Sequence, residues 1–294
     1  MTRSINVDFF QVETPEGISF ADLVDSVNII PIERRNHRYG IEAPVRMQTA
    51  VINGDNINGD MIRIRMDEVP LKASLQGGTE FITLRDDEGI GEDTAFFYFK
   101  PFNVLLLQRN RYAVSASAFA LYFKTMCDVN YIFLNPILRT DIMLRLRQMS
   151  IFRKFNVKIA GIQNSEMFRG HVGGVGSIID CKDQYEAPNI TVNVSMGRAR
   201  GSLSLGNVME SIQYFFRISH DNNRMVKKLD VFAQEDYTSE IEYLDILKAR
   251  IVEKIDVNLD HNRRLPYENR SQALSDAWSR RRGELSTRFS SEEG

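Results

Sequence analysis

Side chains able to do covalent chemistry are few and scattered. His37, His171, His220 and His261 lie in four unlike segments. No two of them have the His-x-x-x-His spacing that lets one helix face grip zinc. There is no Gly-x-Ser-x-Gly turn to expose a serine nucleophile. Cys127 and Cys181 are the only cysteines, too few for a disulfide framework or a cysteine-built zinc site. Glu253-Lys254 lacks the intervening residue of the Asp…Glu-x-Lys pattern around a nuclease metal. The tract 53–60 has the turn residues of a calcium loop without its Asp spacing or its closing glutamate, and reads as a hairpin loop. The glycine run 170–176 lacks the Gly-Lys-Ser/Thr ending of a phosphate-binding loop and reads as a connection or a close packing point. No catalytic residue, cofactor or metal is therefore expected.

Arginine is the abundant alternative. Of 37 basic residues, 27 are Arg, whose planar fork suits phosphate and carboxylate better than an ammonium does. The net charge of −2 conceals an uneven distribution: residues 1–136 are net −5, 137–171 net +5, 172–262 net −4 and 263–294 net +2. A near-neutral chain is not a general polyanion binder, but it can carry one basic face between acidic neighbours.

Three groups of cations stand out. On a helix opening at Pro266, Tyr267, Leu274, Trp278, Leu285 and Phe289 fall near one line and form the packed face. Arg270, Arg281 and Arg288 run along one edge of it, a row of roughly 27 Å at about 1.5 Å per residue. Such a row can follow a phosphate backbone, or serve as an ion-paired flank against an acidic neighbour. The second group has Arg145 and Arg147 on different helix faces, then Arg153, Lys154 and Lys158 at the start of the next strand. Seven cations against two anions in 137–171 cannot neutralise themselves. Their partners lie elsewhere in the chain, in another subunit or in nucleic acid. Arg109 and Arg111 share one strand face, within reach of phosphate or of the acidic loop 86–93.

The elements that must position these groups alternate strand and helix. Ile5, Val7 and Phe9 alternate with polar residues as a strand. Ser19 with Asp22 three residues on is a capping box for a helix striped by Phe20, Leu23, Val24 and Val27. Residues 47–70 read as two strands, 81–84 as another, and 94–99 with 104–108 as a hairpin with buried arms. Ser115 or Ser117 starts a helix, and Asn135-Pro136 starts a second. Further strands are expected at 155–159, 190–194, 226–232 and 251–259, with a helix at 208–218. The pattern predicts an α+β protein of two mixed α/β parts, with largely antiparallel sheets and a long C-terminal helix. The division expected is 1–130 and 131–294. No apolar run reaches about 18 residues, so no transmembrane helix is expected. The N-terminal residues lack the apolar core of a signal peptide, and a cytoplasmic location is the expectation.

The stretch Gly91-Glu92-Asp93-Thr94-Ala95-Phe96-Phe97-Tyr98, followed by Val104 to Ser115 with Arg109-Asn110-Arg111, resembles the central signature of an uncharacterised bacterial family associated with mobile elements and phage defence. Arg63-Ile64-Arg65-Met66 with Val69-Pro70, and Ala277-Trp278-Ser279-Arg280-Arg281, share the resemblance. In length, apolar hairpin and basic C-terminal helix, the layout more distantly resembles the phage-exclusion protein RexA and the Kiwa defence protein KwaB. The resemblance implies a DNA-associated defence or exclusion component and assigns no catalytic residue. Arg109, Arg111, Arg145, Arg147, Arg153, Lys154, Arg270, Arg281 and Arg288 are then the expected phosphate contacts, to duplex DNA and largely independent of sequence. The alternatives are a protein-interaction subunit docking on a partner defence protein, and a metal-dependent nuclease. Self-association into a homo-oligomer, with no membrane partner, is expected in either binding reading.

Overall fold

The computed structural model describes residues 1–38, 43–160, 177, 181, 184–218 and 226–290. The glycine run 170–176 and His220 lie outside them. In chain order the first elements are β1 (Thr2–Glu13), α1 (Phe20–Asn28), β2 (Val45–Asn53), β3 (Asn56–Arg65), β4 (Lys72–Ala73), β5 (Thr79–Glu80), β6 (Ile90–Phe99), β7 (Val104–Arg109) and α2 (Ala116–Met126). They are followed by β8 (Phe133–Pro136), α3 (Thr140–Gln148), β9 (Ile151–Ala160), β10 (Asn189–Ser195), α4 (Leu205–Ile218), β11 (Val226–Gln234), β12 (Glu242–Asp245), β13 (Val252–Asn258) and α5 (Tyr267–Ser290). The protein is α+β, with mostly antiparallel sheets and a long C-terminal helix.

Contacts divide the chain into two units, Met1–Leu134 with Glu253–Gly283, and Asn135–Val252 with Glu284–Gly294. The first boundary lies close to the expected one at 130/131. The second half is not contiguous, because the chain returns to the first unit for β13 and most of α5.

Unit 1 is built on a sheet of order β13-β1-β7-β6-β3-β2, and β8, whose Phe133 and Leu134 belong to this unit, pairs with β1. Strand alternation gives it two buried faces. Phe10, Leu105, Leu107, Phe96, Tyr98, Ile57 and Met61 join α1 and α2 in one apolar core. Both helices start where a serine satisfies a free backbone N–H. Ser19 and Asp22 form the expected capping box, and Ser115 accepts from Ala118. Phe20 meets the edges of Tyr98 and Phe123 at 5.0 Å each, the quadrupole-favoured arrangement. The opposite face takes α5, whose Trp278 lies 4.6 Å from Phe99 and 5.9 Å from Phe97 by ring centroid.

Two local expectations change. Residues 81–84 form no strand, because a ladder needs a partner and only the two-residue rungs of β4 and β5 pair in this arm. The arm leaves Leu71, Leu75 and Phe81 exposed. Pro136 ends β8 and does not open a helix; α3 begins after Arg139. Proline lacks only the N–H, which an edge strand can spare.

Unit 2 has the antiparallel order β10-β9-β11-β12. Phe155, Val157 and Ile159 of β9 and Leu229 and Val231 of β11 pack with Val208, Ile212 and Phe215 of α4 and Leu146 of α3. Lys154, Asn156 and Lys158 alternate onto the other face of β9.

Candidate functional site

Four of the nine expected phosphate contacts, Arg109, Arg145, Arg270 and Arg281, are paired with carboxylates inside the fold. Arg270 departs furthest from its expected role, being 2% exposed. Its Nη1 and Nη2 donate to the two carboxylate oxygens of Asp60 at 2.7 and 2.8 Å, and Nη2 also donates to Asp93 at 2.8 Å. Asp60 and Asp93 stand on the face of β3 and β6 that α5 covers, so the first turns of the helix carry Arg270 down onto them and away from any phosphate. Burial pushes the Asp60 carboxyl up, and the Arg270 guanidinium opposes that shift. Burial works against the charge of Arg270 too, but Asp60 and Asp93 outweigh it and the guanidinium ends above its ordinary value.

The remaining cations follow the same pattern in part. Arg109 donates to both oxygens of Asp8, from Nε at 2.7 Å, and Asp8 holds its guanidinium above the ordinary value against desolvation. Arg281 donates to Glu253 at 2.6 Å. Arg288 donates to the Leu138 carbonyl at 3.0 Å. Arg145 bonds Glu242 at 2.8 Å and lies 3.7 Å from Glu235. The row 270–281–288 is therefore a set of internal clasps, not an open edge. Arg147 is exposed on α3. Lys154 lies over the Phe232 ring at 5.2 Å and Arg111 over Tyr112 at 5.3 Å. Carboxylates distant in sequence but adjacent in the sheet account for the neutralised positions.

Arg153 of the expected set opens onto a cleft. At the end of the unit 2 sheet, Arg153, Arg198, Ala199, Arg200, Gln234, Tyr237 and Ile241 surround a space of about 750 Å³, within the usual range of small-ligand sites. After β10 the chain turns sharply: Met196 donates to the Arg153 carbonyl at 3.0 Å, and Leu203 donates to the Phe152 carbonyl at 2.8 Å. Between these anchors, Gly197-Arg198-Ala199-Arg200-Gly201 bulges outward. Gly197 and Gly201 have φ of +55° and +127°, which L side chains adopt only under strain. Arg153 braces this loop, donating Nη1 to Gly201 at 2.8 Å and Nη2 to Gly197 at 3.1 Å. Arg198 and Arg200 are exposed and have no ion pair among the described residues.

The facing loop, 235–241, is held by its own acid. Asp236 Oδ1 accepts from the backbone and hydroxyl groups of Thr238 and Ser239 at 2.6 to 2.9 Å. Those donors, the Thr238 hydroxyl foremost, draw its carboxyl down to about 2. Glu235 and Glu242 are engaged by Arg145. Asp236, held only by uncharged donors, keeps its negative charge, and Glu240 in the same loop is exposed. Gln234, 6% exposed, donates its amide to the Asp236 carbonyl at 2.6 Å.

Arg198, Arg200, Gln234 and Tyr237 escape a sequence reading based on charge windows. The arginine pair sits in a stretch that is net −4 overall, and only the bracketing glycines mark it as a shaped loop. Among the described residues no group of three or more His, Cys, Asp or Glu is arranged to hold a metal ion. Nor, among those residues, is any helix long and apolar enough to cross a membrane. The model of a family of unknown function (DUF6731) matches residues 2–282. No curated protein matches the chain.

Proposed function

We propose that this chain, which belongs to the DUF6731 family, acts by binding a phosphate-bearing polyanion, nucleic acid first, through the arginine cleft of unit 2. The observation that carries this reading is that Arg153, Arg198 and Arg200 line one open space, and that Arg198 and Arg200 have no ion pair among the described residues. The site is smaller than the nine-residue surface that the sequence suggests. Two cations neutralising phosphates, Arg198 and Arg200, correspond to a log–log salt slope of about −1.8 on duplex DNA, against about −8 for nine. Mobility shifts of a duplex at several salt concentrations measure that slope. R198Q/R200Q should flatten it by roughly 2. Absence of retention at low salt overturns the proposal.

The phage-defence or exclusion context belongs to the same proposal, and rests on the resemblance of residues 91–115. A second reading, docking on a protein partner, draws support from the arm between β3 and β6. Its Leu75 and Phe81 are 102% and 89% exposed, more apolar surface than an arm of this size ordinarily leaves in water. Recovery of a stoichiometric complex that L75S/F81S abolishes favours that reading over nucleic acid.

A further inference from the structure

We infer that the unit 2 cleft recognises a nucleoside 5′-phosphate, either as a free nucleotide or as the phosphorylated 5′ end of a strand. The inference rests on the reading of this cleft as the polyanion contact and adds the part of the polyanion it takes.

The two walls of the cleft have opposite character. One is the loop 197–201, which presents Arg198 and Arg200 one residue apart, with Arg153 behind it. Two guanidinium groups on one wall of a cleft suit a terminal phosphate, which carries nearly two charges and three equivalent oxygens. A phosphodiester inside a strand carries one charge and offers less to a paired fork. Arg153 spends both terminal nitrogens on Gly197 and Gly201. It therefore acts as a positioning residue, fixing the loop and adding charge beneath it.

The other wall presents Tyr237 and Ile241 to the cleft. Tyr237 and Ile241 are 66% and 54% exposed although they line a concave site. An exposed tyrosine ring gives a stacking platform worth about 1–3 kcal/mol per base. Gln234 lies between the walls. One N–H of its amide donates to the Asp236 carbonyl, which fixes the side chain and leaves the second N–H and the amide oxygen to offer, a donor and an acceptor matched to a base edge. A dianion at one end and a flat ring carrying an amine at the other describe a nucleotide better than inorganic phosphate or an internal stretch of duplex. The volume of about 750 Å³ holds one nucleotide with its ribose.

Calorimetric titration of the full chain with adenosine 5′-monophosphate, inorganic phosphate and adenosine tests the two walls separately. The monophosphate should bind at least tenfold tighter than either fragment. R198Q/R200Q should weaken the monophosphate at least tenfold, and Y237A should bring it down to the level of inorganic phosphate. Both variants alter exposed side chains, and matching far-UV spectra establish that they fold. A 5′-phosphorylated oligonucleotide and its 5′-hydroxyl twin form the second arm: preference for the phosphorylated strand identifies a strand end, and its absence alongside monophosphate binding identifies the free nucleotide. Equal affinity for adenosine 5′-monophosphate and inorganic phosphate, or an R198Q/R200Q variant that binds like the parent, overturns the inference. If unphosphorylated duplex is still retained in a salt-dependent way, that outcome leaves the broader polyanion reading standing. Monophosphate binding without any duplex retention does the reverse.

Discussion

Replacing Arg270 with methionine should damage unit 1 severely, and by an amount that depends on pH. The guanidinium is 2% exposed and holds Asp60, itself 6% exposed, through two bonds of 2.7 and 2.8 Å. Methionine fills much of the volume but strands the Asp60 charge in the interior. Removing one partner of a buried pair costs about 3–5 kcal/mol, mostly from the charge left behind. Asp93 contributes less, because its side chain is 44% exposed and water can take over. Trp278, the only tryptophan, packs on Phe99 in the same unit, so its fluorescence during urea unfolding reports this unit. With a slope of about 2 kcal/mol per molar urea, the midpoint should fall by roughly 2 M. The sign of the pH effect follows from Asp60, whose carboxyl burial already pushes up, against the pull of Arg270. An acid with a raised folded value favours folding as pH drops through that value and disfavours it above. R270M removes the lowering influence, so the window moves upward and the penalty at pH 8 should exceed that at pH 5. D60N in the R270M background should recover most of the loss at pH 8. A penalty under about 1 kcal/mol, or one equal at both pH values, would refute the assignment of Arg270 as an internal clasp.

Three further outcomes are expected. A Cβ at Gly59 would lie 2.2 Å from Phe96 Cζ and 2.8 Å from the Thr49 carbonyl oxygen, so G59A should lower the urea midpoint by an amount corresponding to about 1–3 kcal/mol. Burial pushes the Cys127 thiol up to about 11 while Cys181 is exposed; a thiol reagent at pH 8 should therefore titrate one group in the native protein and two in denaturant, and two fast groups in the native protein would contradict the burial of Cys127. Ser19 hydrogen bonds, the side-chain one foremost, hold Asp22 below its ordinary value, so the box stabilises above the unfolded value near pH 4 and fades as pH falls through the folded one; S19A should cost about 1 kcal/mol at pH 7 and distinctly less at pH 2 by thermal melting.

Local order was legible in the sequence wherever one short-range rule decided it. Ser19 and Asp22 specify a helix start within four residues, and Phe96 to Phe99 with Val104 to Leu107 specify a buried hairpin by composition. Where a non-local partner decides, the reading misses. Phe81 to Leu84 has strand composition, but the chain brings no partner strand alongside it. Asn135-Pro136 has the local chemistry of a helix start and lies instead at a sheet edge. Arg270 belongs to the same class. Its charge places it outside by every local rule, and only the register that sets Asp60 and Asp93 beneath α5 takes it inside, across 210 residues from Asp60.

The same non-locality explains why counting charge by segment selected arginines that the fold pairs internally. A cation matters to an external anion only if no internal carboxylate has claimed it, and a sheet assembles its carboxylates from strands far apart in sequence. The segment 137–171, net +5, owes part of its excess to Arg145, which pairs with Glu235 and Glu242 from the acidic segment that follows. That pairing occupies acids beside the cleft, and Asp236 occupies itself with Thr238 and Ser239. Two arginines from an overall acidic stretch are left without an ion pair among the described residues, on a glycine-bounded loop. Local charge accounting hides them because it sums over a segment whose acids stand at different places in the fold, and the sum does not say which carboxylate reaches which guanidinium.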